Sequence, residues 1–338
     1  MILSASAPES IAACAASTRA GGLIGLPTET VYGLGADADN NAAVAKIFAA
    51  KGRPADHPLI VHVSSQDGGM SAVAHFSARV PPFAQQLMSA FWPGPLTLIL
   101  PRRDGVGSAA AGGQASIGLR CPAHPAAQAV LHALREASAD QAPVWGIAAP
   151  SANRFGRVSA TTAAHVQDEF GDALCVLDGG ACDVGIESAI VDCTRVPAAL
   201  LRPGQLTPAQ IEAVLGHALA APDAASPRAP GTLASHYAPS VPVELLSSAA
   251  LHGRMQAGVV GPRVVLGVYS RVAPGAAPPA GPGWVHRVMP DDAAAVAHEL
   301  FAVLRSLDEA GVSAIWVETP PPGPEWDGVR DRLQRAAA

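Results

Sequence analysis

Lysine is nearly absent from this 338-residue chain: of its 22 basic residues only Lys46 and Lys51 are lysines, and both fall in one short segment. Where almost every positive charge is written as arginine, a retained lysine marks a place that needs a compact, flexible ammonium. Cysteine is scarce as well. The five cysteines (Cys14, Cys121, Cys175, Cys182 and Cys193) are odd in number and form no CxxC pair, which excludes a disulfide framework and predicts reduced thiols. The eleven histidines are scattered, with no HxxxH and no cysteine at zinc spacing. No apolar run reaches the roughly 18–20 residues of a membrane helix, and the first residues lack the basic segment and apolar core of a signal peptide. A soluble, cytoplasmic protein with no membrane attachment is expected. Charged residues make up only 15%, no block of like charge occurs, and the net charge is −6. Stable nucleic-acid binding is therefore not expected as the main task.

What is present is apolar and long enough for two domains. Hydrophobic residues are 49% of the chain, and Ala, Gly and Pro are abundant. Apolar runs predict strands over 23–26, 59–63, 96–100, 116–121, 144–149, 173–178, 188–193 and 199–202. Helices are predicted over 10–19, from Asn40 or Asn41 onward, over 82–91, 124–136 and 161–170, and after the Thr207-Pro208 cap as far as Gly216. The irregular mixture points to a mixed α/β sheet. Residues 218–233 have a linker composition, rich in Ala and Pro. Beyond it, strands over 241–245, 264–269 and 312–318 alternate with helices over 291–310 and 325–336, and 272–283 reads as a Pro/Gly loop. That alternation suggests a small Rossmann-like domain, but no GxGxxG turn marks it as dinucleotide-binding.

Several short motifs carry chemistry. PTETVYGLG (27–35) leaves a strand end as a polar turn, where α/β sheets place ligands; an ordinary glycine turn fits the same residues. Lys51-Gly-Arg53 ends a helix; two cations there suit a triphosphate or carboxylate, and equally complement the helix dipole. APSAN (149–153) follows an apolar strand with small residues and two short polar side chains, Ser151 and Asn153. Arg120 and Arg202 each end a strand, in GLRCP and LLRPG.

Taken in order, PTETVYGLG, KGR-PxxHPL, WPGPLT (92–97), GLRCP, APSAN and LLRPG resemble the YrdC-like family over residues 8–206. HisTyrAlaPro (236–239) in a segment spanning 207–240, then 241–338 with Arg332-Leu-Gln-Arg335, resemble its longer, two-domain Sua branch. The resemblance implies a YrdC-like twisted mixed sheet with helices, plus a smaller Rossmann-like α/β C-terminal domain. It also implies L-threonylcarbamoyl-AMP synthase activity: a nucleotidyltransferase using ATP, L-threonine and bicarbonate, whose product serves threonylcarbamoyladenosine formation in tRNA through separate transfer proteins. Mg2+ is implied with ATP, held mainly by phosphates and water with no protein cage.

Residue by residue, the resemblance assigns Lys51 and Arg53 to catalysis at the ATP phosphates. It assigns Thr28, His62, Arg120, Ala149 and Ser188 to L-threonine. Ser116, Ser151, Asn153, Ser159, Arg202 and Tyr237 go to ATP, Tyr237 from a Pro-rich lid. Two positions depart from the pattern. Glu187-Ser188-Ala189 stands where Glu-Ser-Thr is usual, and Thr232-Leu233-Ala234 replaces Met-Lys-Tyr before HisTyrAlaPro. Two other readings of such a domain are a non-catalytic RNA-binding module and a carbamoyltransferase of the hydrogenase-maturation type. The acidic balance and absence of a basic–aromatic stripe weigh against the first; the absence of zinc-finger cysteine pairs weighs against the second.

Overall fold

The computed structural model describes residues 1–136, 141–257, 265–271 and 283–338. They divide into two compact units: Met1–Phe155 with Ser159–Thr232, and Gly156–Val158 with Leu233–Ala338. No described helix is long and apolar enough to cross a membrane.

The first unit contains ten strands: β1 Ile2–Ser4, β2 Ile24–Leu26, β3 Gly33–Asp37, β4 Ile60–His62, β5 Leu96–Pro101, β6 Ser116–Arg120, β7 Ile147–Ala148, β8 Cys175–Asp178, β9 Ala189–Asp192 and β10 Ala199–Arg202. They form one sheet in the order β1-β8-β2-β3-β7-β4-β6-β5-β9-β10. Four pairs are parallel (β1–β8, β2–β8, β4–β6, β5–β9) and five antiparallel (β2–β3, β3–β7, β4–β7, β5–β6, β9–β10), so the sheet is mixed as expected. Its helices are α1 Pro8–Arg19, α2 Asn41–Lys51, α3 Met70–Phe76, α4 Pro82–Phe91, α5 Pro125–Arg135, α6 Ala163–Phe170 and α7 Pro208–Leu215. The alternation of side chains along each strand assigns them to two faces. Leu34, Ala36, Val61, Leu98, Leu119 and Val191 pack under α2, α3, α4, α6 and α7. Ile24, Leu26, Ile147 and Leu177 turn the other way, under α1 and α5.

Helix ends follow the chemistry read from sequence. Asn40 caps α2 through its side-chain oxygen, and Gly52 closes it in the left-handed region at φ 64°. Thr162 caps α6, and Thr207 with Gln210 forms a capping box at α7. The segment read as a glycine-containing turn continues instead into β3, Gly33–Asp37. Its glycines are required by packing: a Cβ on Gly33 would lie 2.9 Å from the Ala149 methyl, and one on Gly35 2.7 Å from Ile147 Cγ2. Helix α7 packs on α4 within the first unit.

The second unit has a four-stranded parallel sheet, β11-β14-β12-β13, from β11 Val243–Leu246, β12 Leu266–Ser270, β13 Trp284–Val288 and β14 Ala314–Glu318. Helices α8 Ser248–Ala257, α9 Ala293–Glu309 and α10 Asp327–Ala336 complete it. Its parallel strands match the expected Rossmann-like pattern. Residue 264 of the strand expected over 264–269, and residues 272–282 of the loop expected over 272–283, lie outside the described residues.

Candidate functional site

The sheet face carrying Ile60, Ile99 and Ile190 turns polar toward one end. His62, two residues after Ile60, is the register partner of Arg120 on the neighbouring parallel strand. The β5–β6 register, extended by one pair, sets Arg120 opposite Thr97. Thr97 Oγ1 lies 2.8 Å from the hydroxyl of Ser188, which immediately precedes β9. All four side chains are buried. A polar row thus crosses neighbouring strands because the period of two repeats on each of them.

Arg120 is fixed from several sides. Its Nε donates to the Gly94 carbonyl at 3.2 Å, Nη1 donates to Thr30 Oγ1 at 2.7 Å, and Nη2 lies 2.8 Å from Glu29 Oε1 in a buried ion pair. Thr28 shapes the loop that carries these partners. Its hydroxyl donates to the Val31 carbonyl at 2.6 Å and accepts from the Thr30 and Val31 amides. The Val184 amide holds the Glu29 carbonyl at 2.7 Å. Burial, and then the positive charge of Arg120, push the His62 imidazole down to about 3, so it is neutral at physiological pH.

A second cluster surrounds the end of α2. Lys51 is buried, and its ammonium donates to the Ser151 carbonyl at 2.6 Å and to the Asn153 carbonyl. Burial, and next the charge of Arg53, hold Lys51 well below the ordinary lysine range, while Glu169 and Glu187 act in the opposite sense. Arg53 Nη2 donates to the Pro58 carbonyl at 3.0 Å, and its guanidinium carbon sits 5.8 Å from the Phe155 ring centroid. The Ser151–Asn153 loop is anchored by the Ala152 amide on the Tyr32 carbonyl and by a bridge between Ser151 and Gly33.

Glu187 links the clusters. Its carboxylate accepts from Ser159 Oγ at 2.5 Å, its charge acts on Lys51, and the next residue is Ser188. Arg202 closes this side, donating from Nε and Nη2 to the Ser188 carbonyl at 3.0 and 2.9 Å. Thr28, Lys51, Arg53, His62, Arg120, Ala149, Ser151, Asn153, Ser159, Ser188 and Arg202 therefore all belong to one framework in the first unit, with Ala149 directly after β7 and its amide donating to the Ile60 carbonyl. Ser116 stands apart. It opens β6 on the same face as Arg120 but about 13 Å away along the strand. Tyr237 belongs to the second unit, where it is buried at φ 64°, 5.4 Å from the Phe301 ring, with the Arg332 guanidinium 5.4 Å from its own ring.

Four residues escaped sequence reasoning: Glu29, Thr30, Thr97 and Glu187. Thr97 had a usable signal, being a polar residue within the apolar run LTLIL. Glu29 and Thr30 lay inside a quoted motif, but only folding brings Arg120 against them. Among the described residues, no group of three or more His, Cys, Asp or Glu side chains is arranged to hold a metal ion.

Comparison with known proteins covers the whole of this framework. A Sua5/YciO/YrdC family model described as "Telomere recombination" matches residues 16–204, and one described as "Threonylcarbamoyl-AMP synthase, C-terminal domain" matches residues 206–338. The threonylcarbamoyl-AMP synthase of Pyrococcus abyssi is 42% identical over 231 residues, 67% of this chain and 64% of that protein, just under two thirds of its length. That of Bacillus subtilis is 35% identical over 344 residues, spanning 97% of this chain and 92% of that protein. The crystal structure of P. abyssi Sua5 complexed with L-threonine superposes with a TM-score of 0.84 at 32% identity, covering 100% of this chain and 97% of that one.

Proposed function

This chain belongs to the Sua5/YciO/YrdC family in its two-domain form, and from that premise we propose that it is an L-threonylcarbamoyl-AMP synthase. The reaction joins L-threonine, bicarbonate and ATP into L-threonylcarbamoyl-AMP, pyrophosphate and water. The observation that carries this reading is the pairing of two chemically different clusters in one unit. The His62–Arg120–Thr97–Ser188 row suits an amino acid with a hydroxyl and a carboxylate. The Lys51–Arg53 end of α2 with the Ser151–Asn153 loop suits a nucleotide triphosphate. Glu187 and Ser159 tie one to the other.

The chemistry asks chiefly for alignment and charge stabilisation. A threonine carbamate attacks the α-phosphorus of ATP, and pyrophosphate leaves. The depressed basicity of Lys51 reflects burial and then the charge of Arg53, and triphosphate oxygens would supply an opposing anion in place of the two backbone carbonyls. Arg53 adds a second, permanently charged donor set. Mg2+ enters as part of the MgATP substrate, on phosphate oxygens and water. The product passes to separate proteins that transfer threonylcarbamoyl onto tRNA. A cytoplasmic setting is supported by five cysteines that are all free thiols.

Lys51→Ala tests the assignment. Threonine-dependent pyrophosphate release should fall on the order of 10²-fold or more, as for loss of a charge-stabilising donor. The variant should also lose about 1–3 kcal/mol of stability, because two buried carbonyls lose a donor; circular dichroism at low temperature separates lost chemistry from lost fold. Full activity in folded Lys51→Ala would overturn the reading.

A further inference from the structure

Buried polar groups are almost always hydrogen-bonded, so a cluster that is not calls for an explanation. Apart from the ion contact between Glu29 Oε1 and Arg120 Nη2, both carboxylate oxygens of Glu29 and Nη2 of Arg120 are buried without a further hydrogen-bond partner, as is Nδ1 of His62. They form one group. Arg120 Nη2 touches Glu29 Oε1 at 2.8 Å as a charge contact, and His62 is the strand partner of Arg120. The rest of the guanidinium is committed, through Nε to Gly94 and Nη1 to Thr30. What remains is a donor edge on Arg120 beside the acceptor oxygens of the Glu29 carboxylate.

The signs of these groups restrict the ligand. A lone anion would meet Arg120 favourably but would be repelled by Glu29. A lone amine would meet Glu29 favourably but would be repelled by Arg120. A molecule carrying both charges two bonds apart satisfies both, and that is an α-amino acid zwitterion.

We propose that Glu29 is a specificity-determining residue that receives the α-ammonium group of the amino-acid substrate, while Arg120 receives its carboxylate. This rests on the reading of the protein as a threonine-using enzyme. It adds a partner for the amino group, the atom that must become the carbamate nitrogen. Fixing that nitrogen beside a buried carboxylate also orients it relative to the carboxylate on Arg120. A merely structural Glu29 would hold Arg120 in place and nothing more.

The two roles separate when the ligand is changed along with the residue. Binding to the full-length protein is measured by calorimetry for L-threonine and for the stereochemically matched 2,3-dihydroxybutanoate. The latter keeps the carboxylate and the β-hydroxyl but replaces the ammonium by a hydroxyl. The wild-type protein should prefer L-threonine by roughly 10- to 100-fold, the value of a charge-assisted hydrogen bond. Glu29→Gln should bring that ratio close to one, chiefly by weakening L-threonine. Glu29→Asp, which keeps the charge with a shorter reach, should retain an intermediate ratio and provides the same comparison if Glu29→Gln does not fold.

Equal weakening of both ligands in either variant would mean that Glu29 acts only through Arg120, and would overturn the proposal. So would a wild-type protein that does not distinguish the two ligands. A wild-type protein that binds no L-threonine and releases no pyrophosphate with it would overturn the functional reading and this inference with it; preserved threonine-dependent activity confines the failure to Glu29.

Discussion

Lys46 and Lys51 sit five residues apart on α2 and have opposite environments. Lys46 is exposed and donates to the Gly21 carbonyl at 2.6 Å, whereas Lys51 is buried against the Ser151 and Asn153 carbonyls. Lysine scarcity pointed to the segment, and the ordered motifs singled out Lys51 of the two as the candidate. The acceptors of Lys51 were not legible, because they are backbone atoms a hundred positions away. His62 provides a test at this scale. An ordinary imidazole titrates near 6.5 and that of His62 near 3, through burial and then Arg120. Between those values the unfolded chain binds a proton that the folded chain does not. Stability therefore rises with pH across this window and is lost as acid is added, with a slope approaching ~1.4 kcal/mol per pH unit. His62→Gln should lose less stability than wild type between pH 6.5 and pH 4.5 in urea titrations. Parallel losses in the two proteins would contradict the assigned burial.

Elements with strong local signals were legible, and those imposed by neighbours were not. The Thr207-Pro208 start of α7 and the Pro82–Phe91 helix carry caps or periodicity that sequence displays directly. Strand β3 does not. GLGAD has no β-branched residue, and its extended state follows from pairing with β2 and β7. Strand β1 escaped notice because ILS is largely exposed and ends in serine instead of continuing an apolar run, and helix α3 because seven residues are too short to establish a period. Helix α2 matters most to the proposed function, since its last residue is Lys51. Its start depends on Asn40 Oδ1 accepting from the Ala43 amide at 3.0 Å. Asn40→Ala should lower stability by about 1 kcal/mol, read as a shift in urea midpoint at unchanged m-value. An unchanged midpoint would mean that tertiary packing alone defines this helix end.

At the scale of the whole molecule, composition indicated two α/β bodies, and each has its own sheet and helices. The second unit also takes in Gly156–Val158, through the Ala238 amide on the Gly156 carbonyl and a bridge between Arg157 and Ala238. Pairing across eighty residues leaves no local trace, so the short excursion was invisible in sequence. The site shows the same division. Cationic and small-residue motifs were readable, while the carboxylates that organise them, Glu29 and Glu187, became evident only when the sheet assembled its polar row. Under the proposed function, this framework makes an adenylate from an amino acid. Its most direct test incubates the full-length protein with MgATP, bicarbonate and L-threonine, omits each in turn, and follows the product by mass spectrometry. The complete mixture should yield L-threonylcarbamoyl-AMP with equimolar pyrophosphate, and each omission neither. Pyrophosphate release that does not depend on L-threonine, or a complete mixture without the adenylate, would contradict it.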